Sequence, residues 1–208
     1  MMETKISTTQ PQIERHPLQP FLPEGARLLM LGSFPPSKAR WCMDFFYPNP
    51  QNDMWRIMGL VFFGDKMQFV ESVQGKDKGA KTMFRYEAIV QFCADEGIAI
   101  FDTAQAVIRE KGNASDEHLE IVEPTDVAAL LEQLPDCHDI CCTGQKAAET
   151  LASELGCQSP HVGGCAETDY AGRRLRFWRM PSSSRAYPLA IEKKADAYRR
   201  MFQTIGMC

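Results

Sequence analysis

The feature that most constrains this chain is an apolar run that stops abruptly at a glycine and two prolines. The segment Ala26–Leu31 is short and mostly apolar, as in a strand that is buried on both faces. Gly32 ends it, and Pro35 and Pro36 follow in a loop, because adjacent prolines cannot continue a strand or enter a helix interior. In open α/β sheets, ligands bind at this carboxyl end of the strands.

Strands and helices alternate along the rest of the chain. Apolar runs predict further strands at Ile98–Phe101, Ile140–Thr143 and Leu175–Met180. Helical spacing and end signals predict helices at Asp53–Phe63, Lys81–Glu96, Asp126–Leu134, Gln145–Leu155 and Leu189–Ile205. This order is typical of crossovers between parallel strands, so we predict an α/β fold, a three-layer α/β/α sandwich around a mainly parallel sheet of about four strands.

The remaining segments complete a single domain. Polar or glycine-rich composition predicts exposed loops at Ser72–Lys81, Arg109–Glu117 and Ser159–Tyr170. We expect Asn52 or Asp53 to cap the first helix and Thr125 to cap the third. The chain has 208 residues, enough for one sizeable α/β domain, which we place at residues 16–208 after a disordered or extended tail at residues 1–15.

Composition and charge argue against several classes of protein. The sequence has no long apolar run and a polar N-terminus, so we expect neither a membrane span nor a signal peptide. Its eight cysteines include no CxxC pair, and we expect reduced thiols, no metal and no other cofactor. The net charge is −4, yet residues 173–200 carry nine basic side chains against two acidic ones. This segment is either a patch that holds a phosphate backbone or a solvated strand edge and helix face.

The loops after the first, second and fourth predicted strands should meet at one edge of the sheet. These loops comprise residues 32–52, 102–103 and 181–187, and they are rich in aromatic, amide and hydroxyl side chains. Asp102 adds a carboxylate at the same edge, where it acts in the site or caps the turn after its strand. We therefore expect the functional site at this edge.

Five short motifs lie at these strand ends and in the helices that follow them. In order they read LGSFPP, FFYPNPQNDMW, GIAIFDT, TGQKAAETL and MPSSSRAY. In this pattern, over about residues 16–198, the chain resembles the uracil-DNA glycosylase superfamily. It is most similar to the branch of hypoxanthine-DNA glycosylases and mismatch-specific (thymine/uracil) glycosylases. The resemblance implies the uracil-DNA glycosylase-like fold and removal of a damaged base from DNA.

The resemblance also assigns the water-positioning role, which falls on Asn52. Most of the superfamily has Asn or Asp where this chain has Phe34, and a phenylalanine cannot position water. In the hypoxanthine branch an asparagine in the segment that matches YPNPQN takes over this role. A helix N-cap is the alternative role for Asn52. Met180 stands where many families have a histidine that stabilises the departing base, as is usual in this branch.

A flipped base needs an aromatic surface and directional hydrogen bonds. Phe46 and Tyr47 are the candidates for stacking, followed by Phe45, although each of these rings is equally suited to the core. Asn49 and Asn52 carry amides that both donate and accept hydrogen bonds. Backbone amides of the turn after the first strand add donors, from Gly32, Ser33 and Phe34.

Contacts to the DNA backbone are expected from the last motif and the first loop. Small serine side chains allow close approach to phosphates, and Arg185 acts as a phosphate clamp or as a wedge beside the flipped base, unless this segment is a bare loop. Arg40 adds charge near the same edge. The expected DNA-binding residues are Ser37, Lys38, Pro181, Ser182, Ser183, Ser184 and Arg185.

The sequence thus predicts a DNA repair glycosylase that excises a deaminated base, hypoxanthine or uracil, and leaves an abasic site. We expect a monofunctional enzyme without lyase chemistry, acting as a monomer on DNA in the cytoplasm of a cell without a nucleus, with no membrane partner. The alternative is a catalytically silent nucleic-acid or nucleobase-binding member of the same fold. The four histidines lie outside the motifs, and no GxSxG element supports a serine hydrolase.

Overall fold

A computed structural model describes residues 12–74, 79–109 and 119–208 of the chain. Most of the predicted N-terminal tail, residues 1–11, therefore lies outside the described residues. In chain order the elements are β1 (Ile13–Arg15), β2 (Leu28–Gly32), α1 (Met54–Phe62), β3 (Val70–Gln74), β4 (Ala80–Phe84), α2 (Tyr86–Asp95), β5 (Ile98–Asp102), β6 (Ala104–Arg109), β7 (Leu119–Pro124), α3 (Val127–Glu132), β8 (Asp139–Thr143), α4 (Gln145–Leu155), β9 (Gly164–Tyr170), β10 (Arg173–Met180) and α5 (Ile191–Thr204). Within the described residues, no helix combines the length and the apolar character needed to cross a bilayer.

Four parallel strands form the centre of the fold. The sheet has the order β5-β2-β8-β10-β9, in which β9 alone runs antiparallel to its neighbour. Every residue of β2, β5 and β8 is buried, because helices and loops cover both faces of these strands. The predicted central, mainly parallel sheet is confirmed, but it contains five strands rather than about four.

The fifth strand arises where the sequence analysis placed a loop. The prediction of a loop over Ser159–Tyr170 is wrong from Gly164 onward, because β9 pairs with β10 along its whole length. Ala171 and Gly172 connect the two strands. Both have positive φ (50° and 74°), which is typical of the two central residues of a type I′ hairpin turn. The exposure of β9 alternates along the strand, so its polar residues face water while its backbone completes the sheet.

A second pair of strands replaces the two ends of the predicted loop at Ser72–Lys81 and the first turn of the predicted helix at Lys81–Glu96. Residues 75–78 of that predicted loop lie outside the described residues. Strands β3 and β4 pair in register from Val70 with Phe84 to Gln74 with Ala80. Only Val70 and Phe84 at the base of the hairpin are buried, so β4 lacks the continuous apolar face that a helix would need here. Helix α2 begins at Tyr86 instead.

A third sheet of three strands, in the order β1-β6-β7, also was not predicted. The predicted loop at Arg109–Glu117 is wrong at Arg109, which ends β6, and the rest of it lies outside the described residues. This sheet has a small apolar cluster of its own, in which Phe34 packs with Ala104, Val107 and Leu119. The first loop is therefore anchored to the small sheet through Phe34.

The helices largely follow the sequence prediction. Helix α4 has the predicted bounds, Gln145–Leu155, and α1, α3 and α5 differ from theirs by one or two residues at each end. The predicted cap of α3 is wrong: the carboxylate of Asp126 accepts the Ala129 N–H at 2.9 Å. Thr125 instead donates its hydroxyl to the carbonyl of Asp102 at 2.7 Å, because its side chain points back to the end of β5.

Candidate active site

The carboxyl ends of all four parallel strands open into one cavity of about 1050 Å³. Gly32 ends β2, Asp102 ends β5, Thr143 ends β8, and Pro181 follows β10. All four residues line the cavity, which we call the main pocket. The predicted gathering of these loops at one sheet edge is confirmed.

One wall of the main pocket is the loop from Ser33 to Asn52. Tyr47 is half-buried there in a left-handed backbone conformation (φ 50°), which non-glycine residues seldom adopt. Its hydroxyl shares a hydrogen bond of 2.8 Å with the Thr143 hydroxyl at the end of β8. Burial of the Tyr47 hydroxyl raises its pKa well above 10, and the negative charge of Asp102 raises this pKa further. The phenol therefore stays neutral. The loop is thereby tied to the carboxyl end of β8, the strand next to β2 in the sheet.

The other predicted aromatic residues lie deeper than Tyr47. Phe46 is only 3% exposed, and its ring packs against His16, Phe45 and Phe101. Phe45 belongs to the core, where it contacts Trp55. Phe46 and Phe34 still line the main pocket, but Tyr47 is the aromatic residue of this wall with the most open surface.

Asn52 lines the main pocket, and its side chain also satisfies the first backbone N–H of helix α1, whose N-cap residue is Asp53. Its side-chain oxygen accepts the Met54 N–H at 2.9 Å, and its backbone N–H donates to the Asn49 carbonyl at 2.8 Å. No described residue forms a hydrogen bond with its side-chain amide nitrogen. The side-chain oxygen of Asn52 is therefore committed to the start of the helix, and its amide nitrogen is available as a donor.

The opposite wall is the serine loop, Pro181–Ser184, which the last helix and the first loop hold in place. Tyr198 on α5 donates its hydroxyl to the Pro181 carbonyl at 3.1 Å. Lys194, buried on the same helix, donates to the Ser184 carbonyl at 2.7 Å. The Asp53 N–H reaches the Ser183 carbonyl at 3.0 Å. The loop is thus fixed, and Ser182, Ser183 and Ser184 all line the pocket.

Positive charge outweighs negative charge beside the serine loop. Asp53 accepts a hydrogen bond from Arg185 Nε at 2.9 Å and lies 3.7 Å from Arg56 Nη1. Burial lowers the pKa of Arg56, and the charge of Arg185 lowers it further. Burial also lowers the pKa of Lys194. Because one carboxylate pairs with two arginines, and Arg185 lines the pocket, this rim of the pocket is suited to an anion such as a phosphate.

A second cleft of about 1090 Å³ adjoins the main pocket. It lies between the β3–β4 hairpin and the first loop, and we call it the hairpin cleft. Arg40, Asn49, Gln51 and Arg185 line both cavities, so the two are contiguous. Lys81 lines the far side of the hairpin cleft. No acidic side chain lines this cleft in the described part of the chain.

Beneath the main pocket, His16 and Asp102 form a buried pair. His16 Nε2 lies 3.0 Å from Asp102 Oδ2, and the two side chains are 4% and 9% exposed. Asp102 lines the pocket, and its side chain bonds His16 rather than capping the turn after β5. The His16 ring packs against Phe34 and Phe101, with ring centroids 5.3 and 4.6 Å away. Among the described residues, no group of three or more His, Cys, Asp or Glu side chains is arranged to hold a metal ion.

Comparisons with known proteins point to one superfamily. No protein-family profile matches the chain. A hypoxanthine DNA glycosylase of Methanosarcina acetivorans is 28% identical over 128 residues, which make up 62% of this chain and 70% of that protein. The solution NMR structure of a Methanosarcina acetivorans protein, described provisionally as a uracil DNA glycosylase, matches with a TM-score of 0.60 at 24% identity and covers 94% of this chain and 99% of its own. The predicted resemblance to the uracil-DNA glycosylase superfamily is confirmed. Within that superfamily, the chain resembles the hypoxanthine-DNA glycosylase-like branch.

Most of the predicted site residues of this glycosylase-like fold come together. Those that line the main pocket are Gly32, Ser33, Phe34, Phe46, Tyr47, Asn49, Asn52, Pro181, Ser182, Ser183, Ser184 and Arg185. Ser37 and Lys38 line neither cavity. The Lys38 ammonium instead lies 5.2 Å from the centre of the Trp41 ring.

Two residues of the site escaped the sequence analysis. Lys146, within the TGQKAAETL motif, lines the main pocket at the start of α4. His16 was set aside because it lies outside the motifs, 86 positions before its partner Asp102. Only the position of Asp102 at a strand end hinted at this pair, since nothing in the local sequence around His16 indicates a buried partner.

Proposed function

We propose that this protein is a DNA glycosylase that flips a deaminated base, hypoxanthine or uracil, out of DNA and hydrolyses its N-glycosidic bond. One observation carries the proposal: all five motifs that resemble the glycosylase superfamily contribute residues to a single pocket. The relative named as a hypoxanthine DNA glycosylase supports the same reaction class. An abasic site and a free base are the expected products.

The main pocket suits a base that has left the DNA stack. A flipped base is read by stacking and by hydrogen bonds to its edge. The Tyr47 ring offers the aromatic surface, and the side-chain amides of Asn49 and Asn52 offer donors and acceptors. Backbone groups of Gly32 and Ser33 complete the polar wall. Because Asn52 uses its oxygen as a helix cap, we infer that its amide nitrogen orients water or the base.

The strand that carries the flipped nucleotide is proposed to cross the cationic rim into the hairpin cleft. Arg40 and Arg185 line both cavities, so phosphates on either side of the base would meet positive charge. Each phosphate contact contributes to the salt dependence of binding, with a slope of about −0.9 per contact on duplex DNA. Arg40→Gln should therefore weaken binding and reduce this slope by about 1. Lys66→Gln, which removes an exposed charge that lines neither cavity, is the matched control.

Strand scission tests the reaction directly. Labelled oligonucleotides with one uracil, hypoxanthine, xanthine or mismatched thymine are incubated with the protein and then heated in alkali to break abasic sites. Cleavage of hypoxanthine or uracil substrates is expected, and slower cleavage by Asn52→Ala would support its role in the pocket. Cleavage of none of these substrates would exclude the proposed activity.

The proposed enzyme is monofunctional, and Lys146 is the residue to check. A lyase forms a Schiff base between a lysine and the sugar, and borohydride reduces that bond to a permanent crosslink. We expect no crosslinked product with the wild-type protein. A crosslink that disappears in Lys146→Gln would identify this lysine as a nucleophile and assign the protein to the bifunctional class.

A catalytically silent binding protein is the second candidate, and the capping role of Asn52 favours it. Phe34, at the position of the usual water-positioning residue, packs in the small apolar cluster. Such a protein would bind DNA or a free base through Tyr47 and the cationic rim without cleavage. Tight binding of lesion-containing DNA together with intact substrate after long incubation would establish this reading.

A further inference from the structure

We propose that Asp102 is a catalytic residue of the main pocket and that His16 is the positioning residue that aims its carboxylate. The inference deepens the proposed glycosylase function and rests on it. Asp102 ends β5 at the floor of the pocket, and His16 holds one of its two carboxylate oxygens at 3.0 Å. The second oxygen is the one available to a substrate or to water.

The free oxygen of Asp102 has a defined place beside Gly32. A Cβ atom at Gly32 would lie well under 3.0 Å from Asp102 Oδ1, a separation that real Cβ atoms essentially never show. The Gly32 φ angle is not in the left-handed region, so the backbone itself does not require glycine. Glycine at this position therefore makes room for the carboxylate. No described residue forms a hydrogen bond with Oδ1, and Asp102 lines the pocket.

The surroundings of His16 keep its Nε2 directed at Asp102. On the other side of the ring, Nδ1 lies 3.2 Å from the Leu18 N–H nitrogen and 2.9 Å from the Leu18 carbonyl oxygen. With Nδ1 accepting the Leu18 N–H, the ring carries its proton on Nε2. Nε2–H then donates to the Asp102 carboxylate and fixes its orientation.

Asp102 is better placed to accept a proton than the other candidates in the pocket. The side-chain oxygen of Asn52 already accepts the Met54 N–H, and an amide cannot take a proton from water at neutral pH. Glu149, the other carboxylate that lines the pocket, is exposed and accepts a hydrogen bond from Gln145 at 2.7 Å. Asp102 is buried and held, as a general base should be.

The proposed step is hydrolysis of the glycosidic bond with Asp102 as general base. The C1′–N bond breaks and its electron pair leaves with the base, so positive charge develops on the sugar ring. The oxygen of a water molecule forms the new bond to C1′, while one of its protons passes to Asp102. The departing base anion takes up one proton from solvent, and Asp102 later releases its own. The ionised carboxylate also stabilises the sugar cation electrostatically before the water attacks.

Single-turnover kinetics on the substrate that the wild type cleaves test both assignments. Loss of a general base slows a reaction by about 10²- to 10⁴-fold, so Asp102→Asn should lower the cleavage rate in that range while the Kd for lesion DNA stays within about threefold. Asp102→Ala should be equally slow and should recover in part with sodium formate, but not with sodium chloride. Asp139→Asn is the matched control, because Asp139 is a buried carboxylate at the opposite end of β8. It should keep the wild-type rate.

Two substitutions of His16 separate positioning from packing. His16→Gln keeps an N–H donor and should cleave within about tenfold of the wild type, whereas His16→Phe keeps the ring packing and should lose about 10²-fold, the effect expected when a reacting group is misplaced by about 1 Å. A wild-type rate in Asp102→Asn would overturn the catalytic assignment and leave the glycosylase intact. Equal losses in the two His16 variants would overturn the positioning role. No cleavage by the wild type would instead refute the proposed function, and this inference with it.

Discussion

Replacing Gly32 with alanine should displace the Asp102 carboxylate and thereby stop catalysis. Ordinary van der Waals contact begins at 3.4 Å, and the new Cβ would lie well under 3.0 Å from Oδ1. The carboxylate must therefore retreat by about 1 Å, and a shift of this size at a reacting group costs about 10²-fold in rate. The retreat also strains or breaks the 3.0 Å contact with His16, a hydrogen bond to a charged group that is worth about 1.5–3 kcal/mol.

The assay compares single-turnover cleavage with the free energy of unfolding in urea. Gly59→Ala is the matched control, because a Cβ there would come equally close to the Asp65 carbonyl, in helix α1 and away from the pocket. Both variants should lose stability, but only Gly32→Ala should lose cleavage. The double variant Gly32→Ala/Asp102→Asn should be no slower than Asp102→Asn alone. A Gly32→Ala protein that cleaves at the wild-type rate would refute the geometry on which the Asp102 assignment depends.

Three further predictions concern stability and thiol chemistry. Asp139→Ala leaves the buried Trp178 Nε1–H without its acceptor at 2.8 Å, so the free energy of unfolding measured in urea should fall by about 1–3 kcal/mol while cleavage is unchanged. Burial lowers the pKa of Lys194 from 10.5, so the unfolded chain holds this proton more tightly. The stability of the wild type relative to Lys194→Met should therefore rise as the pH approaches 10.5 from below, and a flat difference in urea midpoints would contradict this. In an Ellman titration of the native protein, the exposed Cys165 and Cys208 should react first, and the four buried cysteines should react only after unfolding. Burial raises the pKa of Cys165 to about 11, so its reaction at neutral pH should be slow, and reaction of more than four thiols in the native protein would show that the core opens readily.

The sequence predicted well those elements whose buried residues form a continuous or regular apolar pattern along the chain. Strands β2, β5 and β8 are apolar runs covered on both faces, and helix α4 combines a glycine at each end with a regular apolar face. Gly32 and Gly144 mark the carboxyl ends of β2 and β8, and Pro181 marks that of β10, so the edge that carries the candidate site followed from the sequence. The motifs then placed most of the pocket residues.

The hairpins were missed because half-exposed strands are defined by their partners. Strand β9 depends on pairing with β10, and β3 depends on pairing with β4, whereas their own residues are mostly polar. The pair of His16 and Asp102 was missed for a related reason. Their contact spans 86 positions and exists only because the segment after β1 crosses over the end of β5. Ser37 and Lys38, which the sequence predicts as DNA contacts, line neither cavity, because proximity in sequence does not fix the direction of a side chain.

Strand β10 is the last strand in the chain, yet it lies inside the sheet, between β8 and β9. A nascent chain leaves the ribosome from its N-terminus, so β2, β5 and β8 are synthesised well before β10 can pair with β8. The serine loop follows β10, and helix α5, which fastens that loop, is made later still. A growing chain therefore has no complete pocket until α5 has been made, and a chain truncated anywhere before α5 should lack the contacts that hold the serine loop in place.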